Sequence, residues 1–147
     1  FGPLGIDRYY WKRSPTGLVD TGGGLYLAAR DLAKIGYLVL KNGVWEGKAI
    51  VPADWIREST TPSVEVSGTD MQYGYKWWLI PYAMKESSLA VCGVGFGGQY
   101  PIVMQDLNIV LVFTGWNLLP DRPSLSRRDA IDRVLDAVRD RQLRRPN

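Results

Sequence analysis

The sequence contains no histidine and a single cysteine. Neither an imidazole base nor a zinc site built on histidines can be completed within these 147 residues. The lone cysteine, Cys92, excludes an internal disulfide and leaves the redox compartment open. Long apolar runs are missing as well. The strongest, IVLVF at residues 109–113, falls far short of the roughly 18 residues that cross a bilayer, so no membrane span is expected. No methionine, basic n-region or signal-peptide core opens the chain, which begins FGPLGID as if inside an element and is read as a piece of a longer protein.

What is present is ordinary globular material. The chain is 46% hydrophobic and 22% charged, which excludes disorder and fibrous repeats. Its length predicts one domain and suffices for a core, since a chain of this size buries roughly 70% of its unfolded surface. The net charge of +3 is uneven: residues 122–145 carry eight arginines against four aspartates, and the remainder is slightly acidic. Within that stretch Ile131, Val134, Leu135 and Val138 recur at helical spacing, so an amphipathic helix with a solvated charged face is expected. No aromatic stacking residue lies among these arginines, and no nucleic-acid partner is expected.

Along the chain, residues 1–24 read as an irregular Gly-, Pro- and aromatic-rich excursion. Residues 25–40 change character: Ala28, Leu32, Ile35 and Val39 share a helical face, and Asn42-Gly43 supplies the stop. VWEGKAIV reads as a hairpin about Glu46-Gly47, and Pro52 opens a short helix closed by Pro62. Residues 63–72 are polar and read as a loop. Strands are expected over residues 73–80, 89–96, 100–104 and 109–115, with Asp106-Leu107-Asn108 as a turn and PYAMKESS as a connection. After Pro120 and Pro123, Ser126 can cap the last helix, with Asp129 three residues on in a capping box. Consecutive strands with short links are antiparallel, so the fold class is α+β, an antiparallel sheet flanked by helices.

Chemistry concentrates in few places. The run Gly93-Val94-Gly95-Phe96-Gly97-Gly98-Gln99 puts four glycines into a strand pattern, where each weakens the strand. Two readings stand: close approach of a ligand to exposed backbone N–H groups, or a bulge or tight turn between strands. No GK[ST] follows, which argues against a phosphate loop. Gly22-Gly23-Gly24 poses the same question ahead of the first helix, as a flexible entry or a cleft lining. Alternation groups Tyr73, Tyr75 and Trp77 on one strand face, as core or as cleft wall. Cys92 has no base to activate it and reads as a small buried residue. Lys12, Lys34, Lys41, Lys48, Lys76 and Lys85 each lack a serine three residues before them, and no tyrosine is followed two residues on by asparagine, so no serine–lysine apparatus is present.

The ordered series PLGI, TGGGLYLAARDLAKIGYLVLKNGVWEGKAIVPADWIRESTTP, YGYKWWL and GVGFGGQYPIVMQDLNIVLVFTG resembles the C-terminal part of the serine β-lactamase-related family. That family includes class C β-lactamases, penicillin-binding-protein-like peptidases, esterases and 6-aminohexanoate-dimer hydrolases. The resemblance implies that residues 1–147 are the C-terminal segment of a β-lactamase-like domain. The N-terminal half of that domain, with a Ser-x-x-Lys nucleophile and a Tyr-x-Asn-type motif, would then be missing here. It implies an ester, amide or β-lactam small-molecule substrate, an acyl-enzyme and no cofactor or metal. By position the family's Lys-Thr-Gly or His-Thr-Gly triplet falls on Gly93-Val94-Gly95, which has lost the cationic and hydroxyl side chains. The backbone N–H of Phe96 would be an oxyanion-hole donor. Gly97 would lie on the same substrate-lining strand, Gly22 and Gly23 at the cleft rim, and Tyr75 or Trp77 in the pocket wall.

Overall fold

Successive side chains of a strand point to opposite faces, so a strand apolar at every position needs cover on both sides. Residues 78–81, 89–92, 99–104 and 109–114 are largely of that kind. In the computed structural model, which describes residues 1–83, 88–115 and 125–143, they form four adjacent strands of one sheet with helices on both faces. In chain order the elements are β1 (Tyr9–Trp11), β2 (Leu25–Leu27), α1 (Ala29–Leu40), β3 (Val44–Trp45), β4 (Lys48–Ala49) and α2 (Ala53–Ser59). There follow β5 (Val64–Glu65), β6 (Gln72–Tyr73), β7 (Trp78–Pro81), β8 (Leu89–Cys92), β9 (Gln99–Met104), β10 (Ile109–Thr114) and α3 (Arg127–Leu143). The large sheet runs β10-β9-β8-β7-β6-β5, antiparallel at every step.

Alternation sorts the core into two layers. Ile80, Ala90, Cys92, Ile102 and Met104 pack on one face against Ala130, Ile131 and Leu135 of α3. Leu79, Val91 and Val103 pack on the other against Val39 of α1 and Ile56 of α2. The amphipathic reading of the last helix holds: Ile131 and Leu135 are buried, whereas Arg133 and Arg139 are exposed. Its start is the expected reciprocal cap. The Ser126 N–H and hydroxyl donate to the Asp129 carboxylate at 3.0 and 2.7 Å, and the Asp129 N–H approaches Ser126 Oγ at 3.1 Å. These bonds hold the Asp129 carboxyl below its ordinary value. The hairpin about Glu46-Gly47 also forms, with both turn residues at positive φ. Residues 105–108 turn as expected through a 3-10 helix ending at left-handed Asn108.

Several expectations are corrected. Residues 1–24 are not wholly irregular: a 3-10 turn (Gly2–Leu4) and β1 lie within them. The helix does not begin near residue 25, because Leu25–Leu27 instead pairs with Tyr9–Trp11. The polar stretch 63–72 is not a simple loop but carries β5 and most of a hairpin with β6. The strand expected over residues 73–80 is broken. Gly74 to Trp77 form a four-residue loop with Lys76 at φ 66°, and the loop is docked on α2 through Tyr75 N–H donating to Ser59 O. The connections at residues 84–87 and through Pro120 and Pro123 lie outside the described residues.

Helix α1 lies so close to β9 and β10 that a Cβ on Gly36 would stand 2.7 Å from Val110 Cγ1 and 3.5 Å from Val103 Cγ2. Glycine at a helix interior costs helix propensity, and here it permits the layer spacing. Gly36→Val should destabilise the chain by about 1–3 kcal/mol through overpacking, read as a lowered urea midpoint with an unchanged m value.

Candidate functional site

The glycine run closes the β8–β9 hairpin. Strand β8 ends at Cys92, not at Phe96, yet its register with β9 continues. The Gly93 N–H donates to Pro101 O at 2.9 Å, and the Gly95 N–H donates to Gln99 O at 2.7 Å. Residues 96–98 make the turn, with Gly97 and Gly98 at φ 76° and 92°. The glycines at 93 and 95 are explained by their own cross-strand neighbours. A Cβ on Gly93 would lie 2.7 Å from Pro101 Cγ, and one on Gly95 would lie 2.7 Å from Gln99 Cβ. Of the two sequence readings, the tight turn accounts for these positions. It does so without using the N–H groups on the opposite side of the strand.

Those groups are the chemically available ones. N–H directions alternate along an extended strand. Gly93 and Gly95 donate toward β9, so the N–H of Val94 points to the side where β7 has stopped pairing, beyond Trp78. Among the described residues, no acceptor is found for the N–H of Val94, Phe96, Gly97 or Gly98. The Phe96 side chain is 84% exposed, so its ring takes no part in the core. Proline at 101 has no N–H to return to Gly93 O; the Cys92 thiol donates there instead, at 3.2 Å.

The remaining candidates separate. Trp77 is half-buried on the α1 face, its ring edge 3.7 Å from where a Gly93 Cβ would stand, so it braces the hairpin. Tyr75 does not share that face: it is 46% exposed, meets the Trp55 ring at a tilt with centroids 5.8 Å apart, and donates to Glu58 Oε1 at 3.2 Å. That bond to a carboxylate raises the Tyr75 pKa. The break at residues 74–77 resets the alternation, which is why strand periodicity misplaced it. Gly22 and Gly23 are exposed in an excursion of the β1–β2 hairpin, at Lys12 to Gly24, and none of their described contacts reaches the glycine turn.

Two further side chains stand at this end of the sheet: Arg127, and Gln99, which the sequence names only as the last residue of the glycine run. The Arg127 guanidinium lies 4.9 Å from the Trp78 ring, with its Nη1 buried and unpartnered among the described residues. Gln99 bonds across to Gly115. Neither belongs to a motif with a local signature, since each acts across the fold. Cys92 behaves as expected: burial pushes its thiol up to about 12, against a smaller opposing pull from Arg127.

No family model matches the chain. Among solved structures it is similar to a protein described as "Putative 6-aminohexanoate-dimer hydrolase from Bacillus anthracis", with a TM-score of 0.71 and 23% sequence identity. The match covers 98% of this chain and 37% of that protein, so the chain spans well under half of its length. The likeness is one of fold. The mixed helix and antiparallel-sheet architecture read from the sequence is therefore also that of a solved, hydrolase-named protein.

With its thiol neutral and shielded, Cys92 should not react with a disulfide reagent in the native chain at mildly alkaline pH, and one thiol should react after unfolding in guanidinium. Native labelling at the rate of a free thiol would show that this layer opens.

Proposed function

We propose that the chain is part of a serine hydrolase that cleaves an ester, amide or β-lactam bond through an acyl-enzyme, and that residues 93–98 supply its oxyanion donor. The observation that carries this reading is the β8–β9 hairpin: a glycine-lined turn that leaves the Phe96 N–H without an acceptor among the described residues. Such a donor stabilises negative charge on a tetrahedral intermediate, and it does so from the backbone, so the altered triplet Gly93-Val94-Gly95 does not abolish it. The nucleophilic serine and its base would come from an N-terminal half of the same protein. The fold match to 37% of a longer, hydrolase-named structure supports that arrangement. So does the six-residue apolar strand β10, whose outer edge pairs with nothing among the described residues and can accept a strand.

In this arrangement the serine hydroxyl attacks the substrate carbonyl and its proton passes to the base. The carbonyl oxygen becomes an oxyanion facing Phe96 N–H, and the leaving group departs with that proton. Water then repeats the sequence on the acyl-enzyme. A second reading, a non-catalytic binding module of the same fold, is favoured by the absence of a cationic or hydroxyl side chain at Gly93 and Val94.

Labelling of the longer protein with a fluorophosphonate, followed by turnover of p-nitrophenyl acetate, nitrocefin and a linear aminohexanoate dimer, separates the two. Hydrolysis of one of these with a labelled serine supports the enzyme; absence of both supports the binding module. The 147-residue chain alone should turn over none of them. In an active longer protein, Phe96→Pro, which removes the donor, should lower kcat by about 10²–10³-fold. Phe96→Ala, which keeps the donor, should leave kcat within a few-fold, and equal losses in the two variants would overturn the backbone role.

A further inference from the structure

The hairpin tip that carries Phe96 extends beyond the paired part of β8; on the β7 side pairing ends at Trp78, and Trp77 reaches only the base of the hairpin at Gly93. The hydrogen bonds that reach the tip come from the other side. Gln99, the first residue of β9, stands opposite Thr114 in the β9–β10 ladder. Its backbone carbonyl accepts the Gly95 N–H, and its side-chain amide Nε2 donates to Gly115 O just past the end of β10. A carbonyl oxygen only accepts, so the amide must present its nitrogen there and its orientation is fixed. A second bond closes the link: the Gly115 N–H donates to Gly98 O at 3.0 Å. Gln99 and Gly115 therefore bind the far end of the turn to β10, while the Gln99 Cβ occupies the space a Gly95 side chain would need.

We infer that Gln99 is a positioning residue: the hydrogen bond from its side-chain amide to Gly115 O fixes the 96–98 turn through Gly115, and so the direction of the Phe96 N–H. The inference rests on the hydrolase reading for its catalytic consequence, but its structural content does not. An oxyanion donor must be preorganised, and a displacement of about 1 Å at such a group costs on the order of 10²-fold in rate. Backbone pairing at Gly95 and Gln99 sets the base of the turn; the Gly115 N–H on Gly98 O holds its far end, and the Gln99 amide holds Gly115. The isosteric Gln99→Glu removes the donor when ionised and restores one when protonated, near the ordinary glutamate pKa of about 4.3.

The test has two arms. In the 147-residue chain, two-dimensional amide spectra of Gln99→Met should show shifts confined to residues 95–98 and 115, with the rest of the sheet unchanged. In Gln99→Glu the same signals should move at neutral pH and return toward the parent positions as pH falls through the glutamate range. Signals unmoved by both variants overturn the latch, whatever the protein catalyses. In the longer protein, both variants should lower kcat about 10–100-fold with KM nearly unchanged, and the Gln99→Glu deficit should shrink at acid pH relative to parent. Shifted amides with parental kcat would overturn the catalytic consequence alone. If the parent hydrolyses nothing, the hydrolase reading fails and the amide arm still decides the latch.

Discussion

The structure depends on the two-sided burial of β9. Ile102, Val103 and Met104 are all fully shielded, and alternation sends the first and third to α3 and the middle one to α1. A strand that is apolar on both faces cannot remain at a surface, so it requires a helical layer on each side and paired neighbours on each edge. β8 and β10 supply the edges. The register between β8 and β9, with Val91 opposite Val103 and Cys92 opposite Ile102, cannot slip by one residue without exchanging the layers. That register, carried past Cys92, places Gly93 against Pro101 and Gly95 against Gln99.

The candidate site follows from the same constraint. Cross-strand crowding excludes side chains at 93 and 95, the left-handed turn at 97 and 98 favours glycine, and the result is a bare backbone edge. A feature required by packing is thereby also available to chemistry, because one side of the strand is spent on β9 and the other is left open. Trp77 packs against this edge at Gly93, and Gly115, just past β10, donates its N–H to Gly98 O. A preorganised donor needs a stiff support of this kind.

The aromatic content divides by role. Trp78 and Tyr73 meet edge-on at 5.2 Å at the end of β7, and Trp77 enters the opposite layer. Tyr10 and Tyr26 pair across the small β1–β2 hairpin while remaining largely exposed. The arginines of α3 behave as a solvated face at Arg133 and Arg139, but Arg128 reaches back to Asp70 with two 2.7 Å bonds and to Pro81 O. It ties the helix to the β5–β6 hairpin and to β7. The basic stretch is thus partly structural, in line with its interleaved aspartates.

How much was legible from residues alone depends on the range of the interaction concerned. The β3–β4 turn at Glu46-Gly47, the Ser126–Asp129 cap, the apolar stripe of α3 and the turn at Asp106-Leu107-Asn108 are local, and the sequence determined each of them. The buried, inert state of Cys92 followed from the absence of a base and its apolar setting. The class of the fold followed from the succession of apolar runs and short links. Other features were decided only by tertiary structure, because they are contacts between distant segments. The strand at Leu25–Leu27 exists only because Tyr9–Trp11 lies beside it, and its own residues also suit a helix. The break at residues 74–77 answers to Ser59 of α2, and it sends Tyr75 and Trp77 to different surroundings although they are two residues apart. Whether the glycine run was a ligand cradle or a turn could not be read from glycine itself, since both uses need the same missing side chain. What Pro101, Gln99 and Gly115 add is that the turn alone requires these glycines, through cross-strand contacts that no local pattern encodes.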